Sequence, residues 1–254
     1  MKLRLSESLT VLLRALRLPA FTRHHEELAG KAEKAGLGFT DYLHQLAELE
    51  LDERRARRIE RLLKQSGLPA DKTLATLDLP RLPATVRRQV SPLAEGGFVD
   101  KAENLLAFGL PGRGKTHTVC AIGHELVQRG YRVLFVPTHR LVQQLLIAKR
   151  DLALEAKLRW LDRFDAVILD DIGYVQQDRE EMEVLFTFLA ERYERRSVII
   201  TSNLVFSQWD RIFKDPLTTA CAIDRLVHHA TILELTGTSY RTEVAKQRSK
   251  TKKS

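Results

Sequence analysis

At 254 residues, 44% hydrophobic and 29% charged, the chain has the composition of a soluble globular protein that can bury one α/β core and a small further module. No apolar run approaches the roughly 20 residues that cross a bilayer, and the first residues lack a signal-peptide pattern. A membrane-spanning protein is therefore excluded and a cytoplasmic one expected. Two distant cysteines, Cys120 and Cys221, exclude a disulfide scaffold and leave a zinc cluster short of ligands.

The formal charge of +8 is uneven along the chain. Residues 1–95 hold 17 Lys/Arg against 13 Asp/Glu, residues 96–240 hold 18 against 19, and residues 241–254 hold 6 against 1. The excess lies on the two flanks. A basic flank attracts a phosphate backbone by counterion release, and it also keeps a protein in solution; charge alone does not choose between them.

In chain order, residues 1–66 read as a helical N-terminal domain. In "ESLTVLLRALRL" the residues Leu9, Leu12, Leu13 and Leu16 make one helix face, with Pro19 as its stop. After "AGLGFT", Thr40 or the residue before it can cap a longer helix. Along it Leu43, Leu46, Leu49, Ala56, Ile59 and Leu63 share a side, and Gly67 and Pro69 end it. Residues 67–97 carry Pro69, Pro80, Pro83, Pro92 and Gly96-Gly97, the punctuation of a linker with one short helix around 84–90.

From 98 to 245, short apolar strands alternate with helical stretches. The strand candidates are 104–108, 131–136, 166–170, 197–201 and 231–235, apolar almost throughout, as parallel strands buried on both faces are. The fold class is therefore α/β, a parallel sheet sandwiched by helices. Residues 246–254 form a lysine-rich tail that is expected to be disordered.

"GLPGRGKTH" carries the chemistry. Gly109, Leu110, Pro111, Gly112, Arg113, Gly114, Lys115 and Thr116 satisfy G-x-x-x-x-G-K-[ST] between a strand and a helix, the context this motif requires. Its backbone N–H groups and the following helix N-terminus suit a nucleotide β-phosphate. Lys115 would reach the β- and γ-phosphates of ATP, and the Thr116 hydroxyl would ligate Mg²⁺. His117 follows within the same loop, as helix surface or packing and not as a base. In "VILDDIG" the buried strand ends in Asp170, placed to hold Mg²⁺, while Asp171 could orient or deprotonate the attacking water or simply cap the next turn. Asn203 ends the next strand, as a water-positioning amide or a turn residue. Arg225 and Arg241 are individually unremarkable. The adjacent pairs His24-His25 and His228-His229 would point apart on a helix or a strand, so no metal site is expected there.

"GLPGRGKTH", "VILDDIGY", "VIITSN", "AIDRLVHH" and "GTSYR", in this order and spacing, resemble the IstB-like branch of the AAA+ ATPases, close to the DnaC-type helicase loaders. The stretch 39–69 resembles the helical module that precedes the ATPase in IstB-type transposition helpers. The resemblance implies Lys115 and Thr116 as Walker A and Asp170 with Asp171 as Walker B. It implies Asn203 as sensor 1, Arg225 as an arginine finger given to a neighbouring subunit, and Arg241 as sensor 2. Phe98 and Val99 would lie where relatives build the adenine pocket. Leu110 and Arg113 depart from the commoner residues but occupy free positions of the motif.

The implied protein is an ATPase that oligomerises on double-stranded DNA, with ATP at subunit interfaces, and assists a cognate transposase in target selection; hydrolysis would drive disassembly. A DnaC-like helicase loader is the alternative, and a nucleotide-gated scaffold without hydrolysis is a third reading. A small-molecule kinase fits least, because no acceptor lid follows Asp171. For DNA, Arg54, Arg57, Arg58 and Arg61 crowd the polar side of one helix, though i,i+4 glutamates can neutralise that face. Lys250, Lys252 and Lys253 of the tail could add phosphate contacts.

Overall fold

In the computed structural model, residues 5–174, 179–204, 208–209, 216–236 and 239–240 are described. The chain divides into two compact units, Met1–Arg61 and Leu62–Ser254.

The first unit holds α1 (Leu5–Ala15), α2 (Pro19–Ala35) and most of α3 (Phe39–Ser66). Pro19, expected as a stop, is the first residue of α2, where its missing N–H costs nothing. Gly36, at φ 65°, closes α2 by donating its N–H to the Ala32 and Glu33 carbonyls. α3 begins at Phe39, so Thr40 lies inside it and not at its cap. Few leucines are needed to seal so small a unit. Leu13 and Leu46 are buried, whereas Leu9, Leu12, Leu16 and Leu43 are exposed.

A polar residue organises this unit. Glu50, 4% exposed, accepts the Ala20 N–H through Oε2 (2.8 Å) and Arg54 Nε through Oε1 (2.7 Å). Burial alone would raise this carboxyl, but the Arg54 guanidinium and the Ala20 N–H outweigh it and hold the group below the usual carboxylate range. Arg54 also donates to the Arg17 carbonyl (2.6 Å), which ties the α1–α2 turn to α3.

In the second unit, Pro92 does not end a helix. α4 (Ala84–Glu95) runs through it and buries Val86, Val90, Leu93 and Ala94 against α6 (Lys115–Gln128). An internal proline costs about 3 kcal/mol; burying these side chains returns about 1.5–3 kcal/mol for each of the larger ones. Burial wins. The short α5 (Gly97–Asp100) then leads into the sheet.

The sheet is wholly parallel, with order β2-β3-β4-β1-β5: β1 (Asn104–Phe108), β2 (Val133–Pro137), β3 (Ala166–Asp170), β4 (Ser197–Ser202) and β5 (Ala230–Glu234). In register, Leu105 faces Ile199 of β4 and Thr231 of β5, while Val167 faces Leu134 and Val198. β1, β3 and β4 are apolar at successive positions because both of their faces are covered. On one face Leu106, Phe108, Val167, Leu169, Val198 and Ile200 share a core with α7 (Thr138–Arg150), α9 (Arg179–Arg192) and α10 (Pro216–Val227). α6 packs on the sheet with α4 behind it, and α8 (Leu154–Leu161) packs on α7. Among the described residues, no helix is long and apolar enough to cross a membrane.

Arg192, at the end of α9, is 2% exposed and donates to the carbonyls of Leu161 (3.1 Å), Phe164 (3.0 Å), Asp165 (3.4 Å) and Ser197 (2.9 Å). Burial lowers its pKa to about 10, so it remains a cation at neutral pH. A single side chain thus closes the loops before β3 and β4.

Candidate functional site

A parallel sheet delivers the C-terminal ends of all its strands to one edge. Here the loops after β1, β3, β4 and β5 contribute Gly109–Thr116, Asp170–Asp171, Asn203 and Ser239–Tyr240.

The phosphate loop is shaped by glycines that no other residue replaces. Gly109, at φ 152°, approaches the Leu235 carbonyl so closely that a Cβ would overlap it; Gly112, at φ 80°, does the same with the Ser239 side chain. Leu235 donates its N–H to Phe108 O (2.7 Å), and Tyr240 donates its N–H to Gly112 O (3.0 Å). Leu235 is thus fastened to the end of β1 and Tyr240 to the loop itself. Gly114, at φ 86°, caps α6, whose first turn exposes backbone N–H groups to an anion. Buried Leu82 lies against Gly114 from outside.

Two hydrogen-bonded chains meet at this edge. In one, Thr116 Oγ1 and Thr201 Oγ1 each donate to Asp170 Oδ1 at 2.7 Å, and Thr201 Oγ1 accepts the Asp171 N–H at 2.8 Å. In the other, Lys115 Nζ donates to Asn203 Oδ1 (2.5 Å), and Asn203 Nδ2 donates to Asp171 Oδ1 (3.0 Å). Lys115 also donates to the carbonyls of Gly109 (2.6 Å) and Leu110 (3.1 Å). The amide of Asn203 thereby connects the loop lysine to the second aspartate. Asp171 takes φ 60°, a conformation that L residues adopt at a cost. Its N–H bond to Thr201 and its carboxylate bond to Asn203 hold it there. Thr138, fully buried at the start of α7, donates to Asp170 O (3.0 Å).

Lys115, Thr116, Asp170, Asp171 and Asn203 are therefore brought together as their spacing suggested. The donor set of a threonine hydroxyl beside a carboxylate is hard oxygen, the kind that suits Mg²⁺. Thr201 and Thr138 escaped the sequence reading. Their one signal is a hydroxyl where an apolar strand meets a loop, and it identifies nothing until the β3–β4 register sets Leu169 beside Ile200.

Other expected residues stand elsewhere. The ring of His117 turns away from the cradle, with Nε2 at 3.1 Å from Thr76 Oγ1 and 3.3 Å from Thr73 O. Phe98 and Val99 are buried on α5. Arg113 is partly buried, and its Nε has no hydrogen-bond partner. Arg225 stacks its guanidinium 5.1 Å from the ring centroid of Phe186 on α9, outside the two chains above. Arg54 and Arg57 share their charge with Glu50 and Glu53. Arg58 and Arg61 are exposed on the same helix. Arg241, Lys250, Lys252 and Lys253 lie outside the described residues.

The family model described as "IstB-like ATP binding protein" matches residues 11–251. An insertion-sequence ATP-binding protein of Sinorhizobium fredii is 45% identical over 92% of this chain and 78% of its own. The IS21 ATP-binding protein of Pseudomonas aeruginosa is 40% identical over 92% and 88%. Among solved structures, DnaI superposes with a TM-score of 0.56 at 24% identity, covering 67% of this chain and 96% of that one. The replication initiator DnaA, solved with AMPPCP and single-stranded DNA, gives 0.57 at 20% identity over 73% and 56%. These two likenesses establish the fold.

Proposed function

Because the chain belongs to the IstB-like ATP binding protein family, we propose that it is a Mg²⁺-dependent ATPase that assembles as a homo-oligomer on double-stranded DNA and helps a transposase engage its target. What supports this reading above all is the paired constellation at one sheet edge: Thr116 with Asp170, and Lys115 with Asn203 and Asp171. The insertion-sequence names of relatives that this chain matches over 92% of its length support a role in transposition over one in replication.

The roles follow from chemistry. Backbone N–H groups of residues 112–116 would bind the β-phosphate, and Lys115 would exchange its bonds to loop carbonyls for bonds to the β- and γ-oxygens. Thr116 and Asp170 would hold Mg²⁺, which supplies charge neutralisation along the phosphates. Asp171 accepts the proton of the attacking water, and Asn203, hydrogen-bonded to it, orients that water. Arg225 would be donated to the nucleotide of a neighbouring subunit, exchanging its Phe186 contact for the transferring phosphoryl group; such an arginine contributes roughly 10³–10⁵ in rate. ATP binding and assembly are then one equilibrium.

The test is the rate of ATP hydrolysis per subunit against protein concentration, on duplex and single-stranded probes. The rate should climb with concentration and respond to duplex. Asp171→Asn should bind ATP without hydrolysing it, and Arg225→Ala should lose the concentration dependence. A rate per subunit independent of concentration, with Arg225→Ala silent, would overturn the shared site. A preference for single strands would favour a helicase loader.

A further inference from the structure

The edge of the sheet opposite the phosphate loop carries a second cluster of chemistry-bearing side chains. His228 and His229 sit in the turn between α10 and β5, neither on a helix nor on a strand, so their rings converge: the centroids are 4.0 Å apart. Glu194, in the turn between α9 and β4, reaches both. Its Oε1 lies 3.8 Å from His228 Nδ1 and 3.9 Å from His229 Nε2. One ligand atom from each of the three residues lies within 4.8 Å of the other two.

Four further observations define the place. The Tyr193 hydroxyl is 2.9 Å from His228 Nδ1 and its ring stacks on the imidazole, which holds that ring in place; an ion taken by Nδ1 would displace the hydroxyl. His229 is anchored through its backbone, since Asn104 at the start of β1 donates its N–H to His229 O at 2.7 Å. Glu194 holds φ 56°, a left-handed conformation that costs an L residue energy and here directs its carboxylate at the two rings. All three side chains are about half exposed, so an ion can enter and keep water in its remaining position.

The geometry points to a divalent transition-metal site of two imidazoles and one carboxylate at Glu194, His228 and His229, with Zn²⁺ the best match and Co²⁺ and Ni²⁺ as substitutes. Imidazole and carboxylate together are the donor set for these ions, whereas Mg²⁺ prefers oxygen alone. Tetrahedral bonds of about 2.0–2.1 Å put neighbouring ligand atoms about 3.4 Å apart. The Glu194 oxygen lies 3.8 and 3.9 Å from the two histidine nitrogens, about half an ångström beyond that spacing. An ion there would join the C-terminal end of α9 to that of α10, the helix that carries Arg225 one turn earlier. The site is separated from the phosphate loop by the length of β1, about 16 Å at 3.3 Å per residue. It does not depend on the nucleotide reading.

The test uses the full chain without a histidine tag, in the Cys221→Ser background so that the exposed thiol cannot take the ion, with excess Mg²⁺ to fill hard-oxygen sites. Co²⁺ absorption in the visible range and Zn²⁺ competition with a chromogenic chelator should report one ion per chain. Glu194→Gln, His228→Ala and His229→Ala should each weaken binding at least tenfold. Zn²⁺ should raise the melting temperature of the parent chain and not that of the His228→Ala/His229→Ala double variant. These positions are exposed, so unchanged far-UV circular dichroism and ATP binding will show that each variant folds. Affinity only in the millimolar range in the parent chain, or undiminished binding in the double variant, would overturn the site.

Discussion

Thr201 Oγ1 donates to Asp170 Oδ1 across 2.7 Å and itself accepts the N–H of Asp171, so one fully buried side chain sets both aspartates. Thr201→Val keeps the shape of the side chain and removes both bonds. The expected result is a fall in ATP hydrolysis of about 10–100-fold, the usual cost of losing a group that orients a ligand, with ATP affinity little changed. Thr201→Ser should restore most of the rate. Steady-state kinetics beside fluorescent-nucleotide binding checks this. Equal loss in Val and Ser would mean that packing, and not the hydroxyl, is what matters.

Arg192 should be one of the most sensitive positions for stability. Arg192→Met keeps the aliphatic stem but leaves four backbone carbonyls without their donor. Each buried orphan costs about 1–3 kcal/mol, with partial relief from water, so a loss of about 3 kcal/mol is expected. At 2–4 °C per kcal/mol the melting temperature drops by about 10 °C. Arg192→Lys cannot span the same carbonyls and should recover little of it.

Glu50 predicts acid sensitivity of the helical unit. Its folded pKa is held below the ordinary 4.5. The stabilisation is therefore complete above that value and lost as pH falls through the folded one. Glu50→Gln should cost about 1–2 kcal/mol at pH 7 and progressively less toward pH 3. Urea unfolding at both pH values decides it; an equal gap at both would show that charge plays no part.

The two cysteines should separate cleanly. Burial pushes the Cys120 thiol up to about 12, whereas Cys221 is exposed. Near neutral pH, Cys120 then holds about a thousandfold less thiolate than an ordinary thiol. A thiol reagent should label one site rapidly and the second only after unfolding. Rapid labelling of both in the folded chain would contradict this.

How much of this was legible in the sequence varied with the physics. Each observed strand overlaps its expected segment, because a strand buried on both faces must be short and apolar throughout. The phosphate loop was legible because its glycines answer to close backbone approaches. Side chains that act across strands were not. Thr201 needs the β3–β4 register before it has any meaning, and Arg192 looks from its helix like one more surface cation. In the N-terminal unit the periodicity found helices but overstated burial: Leu9, Leu12 and Leu16 match a core pattern yet remain exposed. Pro19 and Pro92 look like breaks in the sequence, yet one sits at a first helical position and the other is outweighed by four buried neighbours.

The strand order has a consequence for the chain during its own synthesis. β1 is the first strand to leave the ribosome, yet both of its neighbours, β4 and β5, are encoded later, the nearer beginning at Ser197. Residues 104–108, every one of them buried in the finished molecule, must wait for more than ninety further residues before either edge is satisfied. Meanwhile β2 and β3 can already pair with each other. The phosphate loop hangs from that waiting strand, so a nascent chain carries the whole motif "GLPGRGKTH" long before it carries the cradle, and an unpaired apolar segment is what folding helpers recognise.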